Sequence, residues 1–178
     1  MLKRARAVAA LIALALLSGC SAHTPAPIVT HHTGDRLPAV RVHDVATGNS
    51  VPVLETDKPA VVAFLTTQPE SQQDESRSIA VVLTSLAQQN TSSSLRIVIV
   101  DESANVNASD LVNTLHDWGL GSVLFASDRS RTAENAWGVT STPKIVVVDA
   151  SGKLTDQFDH YVPPAALASV IPGDQNGS

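Results

Sequence analysis

Two spacings of apolar residues alternate along most of the chain. Val40-Arg-Val-His-Asp-Val45 alternates apolar and polar, as a half-buried strand does. Thr47-Gly48-Asn49-Ser50 supplies turn residues, and Val51 to Leu54 returns, which predicts a small hairpin. Pro59 to Leu65 is a continuous apolar run and predicts a buried central strand, and Leu95-Arg-Ile-Val-Ile-Val-Asp101 predicts a second. Between them Ile79, Val82, Leu83 and Leu86 fall on one helical face, predicting a helix from Glu70 to Gln89. Pro69 suits its first position, and Glu70, Asp74 and Glu75 suit its first turns, where the dipole favours negative charge. Leu111, Leu115 and Trp118 predict a second helix over Asp110 to Trp118, closed by Gly119. A short strand over Ser122 to Ala126 and a helix from Asp128 to Trp137 follow, with Asp128 as cap. Lys144 to Asp149, a turn at Ala150-Ser-Gly152 and Lys153 to Phe158 predict a hairpin. Pro163 and Pro164 open a last helix bearing Leu167, Val170 and Ile171. The order β-β-β-α-β-α-β-α-β-β-α predicts a three-layer α/β sandwich with a mixed sheet.

The N-terminus has another character. Lys3, Arg4 and Arg6 precede an apolar run from Ala7 to Leu17, which ends in Leu17-Ser18-Gly19-Cys20. A basic start, a short apolar run and small residues before a cut describe an export signal over 1–19. The run falls short of the roughly 20 apolar residues a membrane span needs. Its ending resembles the lipobox of bacterial lipoproteins. That resemblance implies cleavage before Cys20 and acylation of its sulfur; an ordinary signal with an incidental cysteine is the alternative. Two or more acyl chains would hold a membrane stably, at about 0.8 kcal/mol per methylene. Residue 21 is Ser and not Asp, which by the same resemblance implies the periplasmic side of the outer membrane in a two-membrane host. Residues 20–36, small, polar and Pro-containing, are expected to be a flexible tether, with a folded domain over 37–172 and a frayed tail over 173–178.

Composition narrows the partners. The net charge is −5, and loss of the basic signal makes the mature chain more acidic still, so nucleic acid is not an expected partner. Apolar residues make up 43% and aromatics 3%, so the core should be built of Val, Leu, Ile and Ala. With one cysteine there can be no disulfide within the chain.

The element order, with Trp137-Gly138-Val139-Thr140-Ser141-Thr142-Pro143 before a strand and hairpin, resembles the thioredoxin fold. It is most similar to the membrane-anchored thioredoxin-like proteins of TlpA type, over about Leu37 to Ile171. The resemblance implies that Pro143 is a cis-proline facing an active site, and that the β-hairpin is an N-terminal extension. It breaks down after the first central strand. Active members carry Trp-Cys-x-x-Cys there, whereas this chain reads Gln68-Pro69-Glu70-Ser71-Gln72, with Pro69 and Gln72 in the cysteine places. Thiol exchange needs a thiolate, and no cysteine follows Cys20.

Other chemistry finds weak support. His31, His32 and His43 are candidate metal ligands, since imidazole suits Cu, Zn or Ni, but two histidines on a tether are more simply polar linker. His23 belongs to the same tether, and His116 and His160 read as surface residues. There is no Gly-x-Ser-x-Gly elbow and no Gly-rich phosphate loop. Asp101-Glu102 ends a central strand, where α/β folds place ligands, and is a rim candidate. Trp118 and Trp137 read as core. The expected function is therefore that of a membrane-tethered, redox-inactive binding or accessory protein of the cell envelope, without a cofactor. Its groove would be formed by Thr66, Thr67, Gln68, Pro69, Gln72, Thr142 and Pro143, and its partner would be a protein or peptide. The alternative is a thiol-disulfide oxidoreductase-family protein acting in envelope redox homeostasis or in cytochrome or metal-centre assembly.

Overall fold

The computed structural model describes residues 29–68, 73–90 and 94–172. Cys20, the expected signal over 1–19 and most of the expected tether lie outside the described residues, as do Pro69, Glu70, Ser71, Gln72 and the expected tail after Pro172.

Seven strands form one sheet. They are β1 (Arg41–Asp44), β2 (Ser50–Pro52), β3 (Ala60–Leu65), β4 (Arg96–Asp101), β5 (Leu124–Ser127), β6 (Lys144–Val148) and β7 (Leu154–Phe158). The helices are α1 (Gln73–Gln89), α2 (Ala108–Asp117), α3 (Thr132–Ala136) and α4 (Pro164–Val170). The spatial order is β2-β1-β5-β4-β3-β6-β7. β3, β4 and β5 run parallel, while β1 pairs antiparallel with β5, and β6 with β3.

The sheet separates two apolar layers, as the period of two along a strand requires. Val61, Ala63 and Leu65 of β3 face Ile79 and Leu83 of α1, Leu111 of α2 and Leu167 of α4. Ala60, Val62 and Phe64 face the other way, toward Ala133 and Trp137. Every residue of β3 is buried, which explains its unbroken apolar run. Chain direction accounts for the layering. The crossovers β3-α1-β4 and β4-α2-β5 step the same way across the sheet, so one handedness puts both helices on one face. Returning from β5 to β6, beyond β3, takes α3 across the other face. Trp137 packs edge-on against Phe64, ring centres 5.7 Å apart, and its Nε1–H donates to the Pro38 carbonyl at 2.9 Å.

Several boundaries differ from the sequence expectation. α2 begins at Ala108 and not Asp110, because the Asn107 side chain caps it by accepting from the Asp110 amide. The strand expected over Ser122 to Ala126 starts at Leu124, after a single 3₁₀ turn over Leu120–Ser122. α3 is only five residues long. Asp128 does cap it, but from four to six residues away, accepting from the amides of Thr132, Ala133 and Glu134, while Arg131 takes a left-handed conformation between them.

Residues 29–36, expected to belong to the tether over 20–36, are not free of the domain. Gly34 and Asp35 exchange backbone hydrogen bonds with Leu154, and His31 Nε2 lies 2.9 Å from the Ala136 carbonyl. The Val29 carbonyl passes directly over Gly138, where a Cβ would stand 1.9 Å from it.

Candidate functional site

The expected groove lies where β3 ends. Phe64 pairs with Lys144, so Pro143, one residue earlier, enters beside the last residues of β3. The Thr142–Pro143 peptide bond is cis. The hydroxyls of Thr66 and Thr142 lie 2.5 Å apart and join the two sides of the groove. The Thr66 amide donates to the Ser76 hydroxyl on α1, and the Gln73 side-chain amide donates to the Thr67 carbonyl. Thr66, Gln68, Thr142 and Pro143 lie around the end of β3, whereas Thr67, expected to line the groove, is fully buried beneath it. Pro69 and Gln72 fall outside the described residues.

The main chain of Thr140, Ser141 and Thr142 makes no hydrogen bond among the described residues, and Thr140 and Ser141 are exposed. Exposed, unpaired main-chain groups beside a sheet can template another extended chain.

Thr67 is fully buried and tied down from β4. Its amide donates to the Ser103 hydroxyl at 2.7 Å and to Asp101 Oδ1 at 3.2 Å, and its own hydroxyl donates to Asp101 Oδ1 at 2.7 Å. Ser103 also donates to Asp101 and accepts from the Gln68 amide. Asp101 is therefore more than a rim residue. It and Ser103 form a clasp that holds Thr67 and Gln68 just after β3. With the Asp101 oxygen filled by three donors and no imidazole beside it, this Ser–Asp pair lacks the base that nucleophilic catalysis by serine requires.

Beside the clasp is an acidic cleft. Both carboxyl oxygens of Glu102 are buried without a hydrogen-bond partner. Burial, reinforced by the charges of Asp128, Glu134 and Asp101, pushes its pKa up to about 9. At neutral pH Glu102 is thus a neutral acid that can donate to the neighbouring Glu134 carboxylate. Glu134 is itself buried and accepts from Nε and Nη2 of the exposed Arg131 guanidinium. Ser103 and Glu134 carry no local sequence signal of their own; Asp101-Glu102 at the strand end and Asp128 as a helix cap are the neighbours that point to them.

The histidine set is not brought together. His31 meets Ala136, His32 lies beside Asp35, and His43 sits on β1 opposite Ser127. Among the described residues no group of three His, Cys, Asp or Glu side chains is placed to hold a metal.

The arrangement resembles solved structures. A thiol:disulfide interchange protein from Bacteroides sp. superposes with a TM-score of 0.64 at 18% identity, over 82% of this chain and 94% of its own. A putative thiol:disulfide interchange protein DsbE from Chlorobium tepidum gives 0.64 at 16%, over 78% and 92%. The fold is thioredoxin-like. A secreted Mycobacterium tuberculosis disulfide oxidoreductase, described as homologous to Escherichia coli DsbE, shares this thioredoxin-like fold at 14% identity, with a TM-score of 0.56 over 73% and 92%. No family model matches the chain, and no curated protein matches it by sequence. Identities this low establish the architecture and leave the chemistry to the site.

Proposed function

We propose that this chain is a thioredoxin-like binding or accessory protein of the cell envelope, tethered to a membrane through an acylated Cys20 and working without thiol chemistry. In a two-membrane host it would sit on the periplasmic side of the outer membrane. The observation that carries the reading is the end of β3, where a cis-proline, the paired hydroxyls of Thr66 and Thr142 and the main chain of Thr140–Thr142, unpaired among the described residues, lie together, yet the only cysteine of the sequence is at position 20. An extended peptide laid along Thr140–Thr142 would gain main-chain hydrogen bonds, with side-chain contacts from Thr66 and Gln68 setting preference. The N-terminal pattern supports the anchor, and no described helix is long and apolar enough to cross a membrane.

The second reading is thiol-disulfide exchange in envelope redox homeostasis or in cytochrome or metal-centre assembly. The solved neighbours, interchange proteins and oxidoreductases by description, favour it more directly than they favour the first. It needs a thiol from a partner, or an unacylated Cys20. The site residues weigh the other way, because Thr66, Thr67 and Gln68 offer no redox group.

Crosslinking of the native protein in its membrane tests the binding reading, with Thr142→Arg as the groove-blocking variant. The reading expects the wild type to capture an envelope protein that T142R loses. Capture unchanged by T142R would remove the groove as its basis.

A further inference from the structure

A second pocket lies at the β1–β5 side of the sheet, separated from the groove by β4. It encloses about 370 Å³, within the usual range for small ligands. Its apolar surface comes from Val45, Ala108 and Leu111. Its polar groups come from three directions. His43 and Ser127 are direct cross-strand partners, so their side chains share a face. That is the α2 face, because Phe125, two residues before Ser127, packs in the same layer as Leu111. Arg129 completes the rim.

None of these three side chains is satisfied from within. Among the described residues no hydrogen bond or ion pair involves the His43 imidazole, the Ser127 hydroxyl or the Arg129 guanidinium. The neighbouring Asp44 carboxylate, by contrast, is occupied by the Ala46 amide and the Thr47 hydroxyl. Arg129 also borders the acidic cleft, but there Arg131 already holds Glu134. The pocket thus offers an always-charged planar fork, an imidazole that keeps an N–H donor in either protonation state, and a free hydroxyl, above an apolar floor.

We propose that this pocket binds a carboxylate carried on a short apolar chain. Arg129 and His43 meet the carboxylate, Ser127 supplies a further hydrogen bond, and the apolar body lies on Val45 and Leu111. A free organic acid and the C terminus of a short peptide present the same chemistry.

The test titrates hexanoate, hexanamide and a leucine-terminated tripeptide into the full chain, following the His43 ring protons and the Arg129 Nε–H by NMR. A carboxylate probe should move both signals saturably. Hexanamide should bind at least about tenfold more weakly than hexanoate, and Arg129→Gln should weaken the carboxylates by a similar factor, as loss of a charge-assisted hydrogen bond implies. Tighter binding of hexanoate or of the tripeptide identifies which source the site takes. Both residues are exposed, so R129Q and His43→Gln should fold as the wild type does. Signals that stay still with both carboxylates, hexanamide binding as tightly as hexanoate, or affinity unchanged in both variants would overturn the proposal. None of these outcomes depends on the groove at Thr142.

Discussion

Asp101 holds Thr67 twice, accepting from its hydroxyl at 2.7 Å and from its amide at 3.2 Å across a sequence gap of 34 residues. Thr67 and Gln68, the described residues that follow β3, are therefore held by the end of β4. Any ligand in the groove meets a surface whose shape is set in advance, which lowers the ordering cost of binding.

Removing that clasp should loosen the loop before it affects the rest of the fold. Asp101→Ala removes the shared acceptor of the Thr67 hydroxyl, the Thr67 amide and the Ser103 hydroxyl and leaves Ser103 as the only remaining partner of the Thr67 hydroxyl among the described residues, at a cost of about 1–3 kcal/mol. Hydrogen exchange should speed up at Thr67 and Gln68 while the β3–β6 ladder stays protected. Unchanged exchange at these amides would show that the clasp does not hold the loop.

Glu102 makes stability depend on pH in a stated direction. Its folded pKa is raised from 4.5 to about 9, so the folded state holds a proton that the unfolded chain releases. The stability tied to that proton is fully present below about pH 4.5 and is lost as pH rises toward 9. Glu102→Gln keeps a donor to Glu134 without the titration. Denaturant melts at pH 5 and pH 8 should show E102Q gaining over wild type at the higher pH, by on the order of 1.4 kcal/mol for each pH unit crossed. Equal differences at the two pH values would mean that Glu102 is not held as a neutral acid.

Gly138 is where the N-terminal segment meets the domain. It has φ +65°, and a Cβ would collide with the Val29 carbonyl. Gly138→Ala adds about 1–2 kcal/mol of left-handed strain to that collision. Limited proteolysis should then cut near residues 29–36 at lower protease concentration, while the sheet survives. A cleavage pattern identical to wild type would mean that Val29 is not seated there.

The fold was legible where the apolar pattern is local and regular. Pro59 to Leu65 read as a buried strand because every position from Ala60 on is covered on both faces. Ile79, Val82 and Leu83 read as a helix face because they repeat at 3.6. The place of Pro143 just ahead of β6 was visible too. What escaped is built across long separations. Ser103 reaches Thr67 over 36 residues, and His31 reaches Ala136 over 105. Nothing in the local pattern of a polar loop or a tether marks such a contact. Asp128 was recognised as a cap but given the wrong helix start, because its carboxylate reaches past the left-handed Arg131 to amides farther on.

Dithiol-driven reduction of insulin by the full chain tests most directly whether this thioredoxin-like protein works without a thiol of its own. The account predicts precipitation at the rate of a protein-free control. Acceleration above that control, lost when Cys20 is replaced by Ser, would contradict it and establish thiol-disulfide exchange as the function.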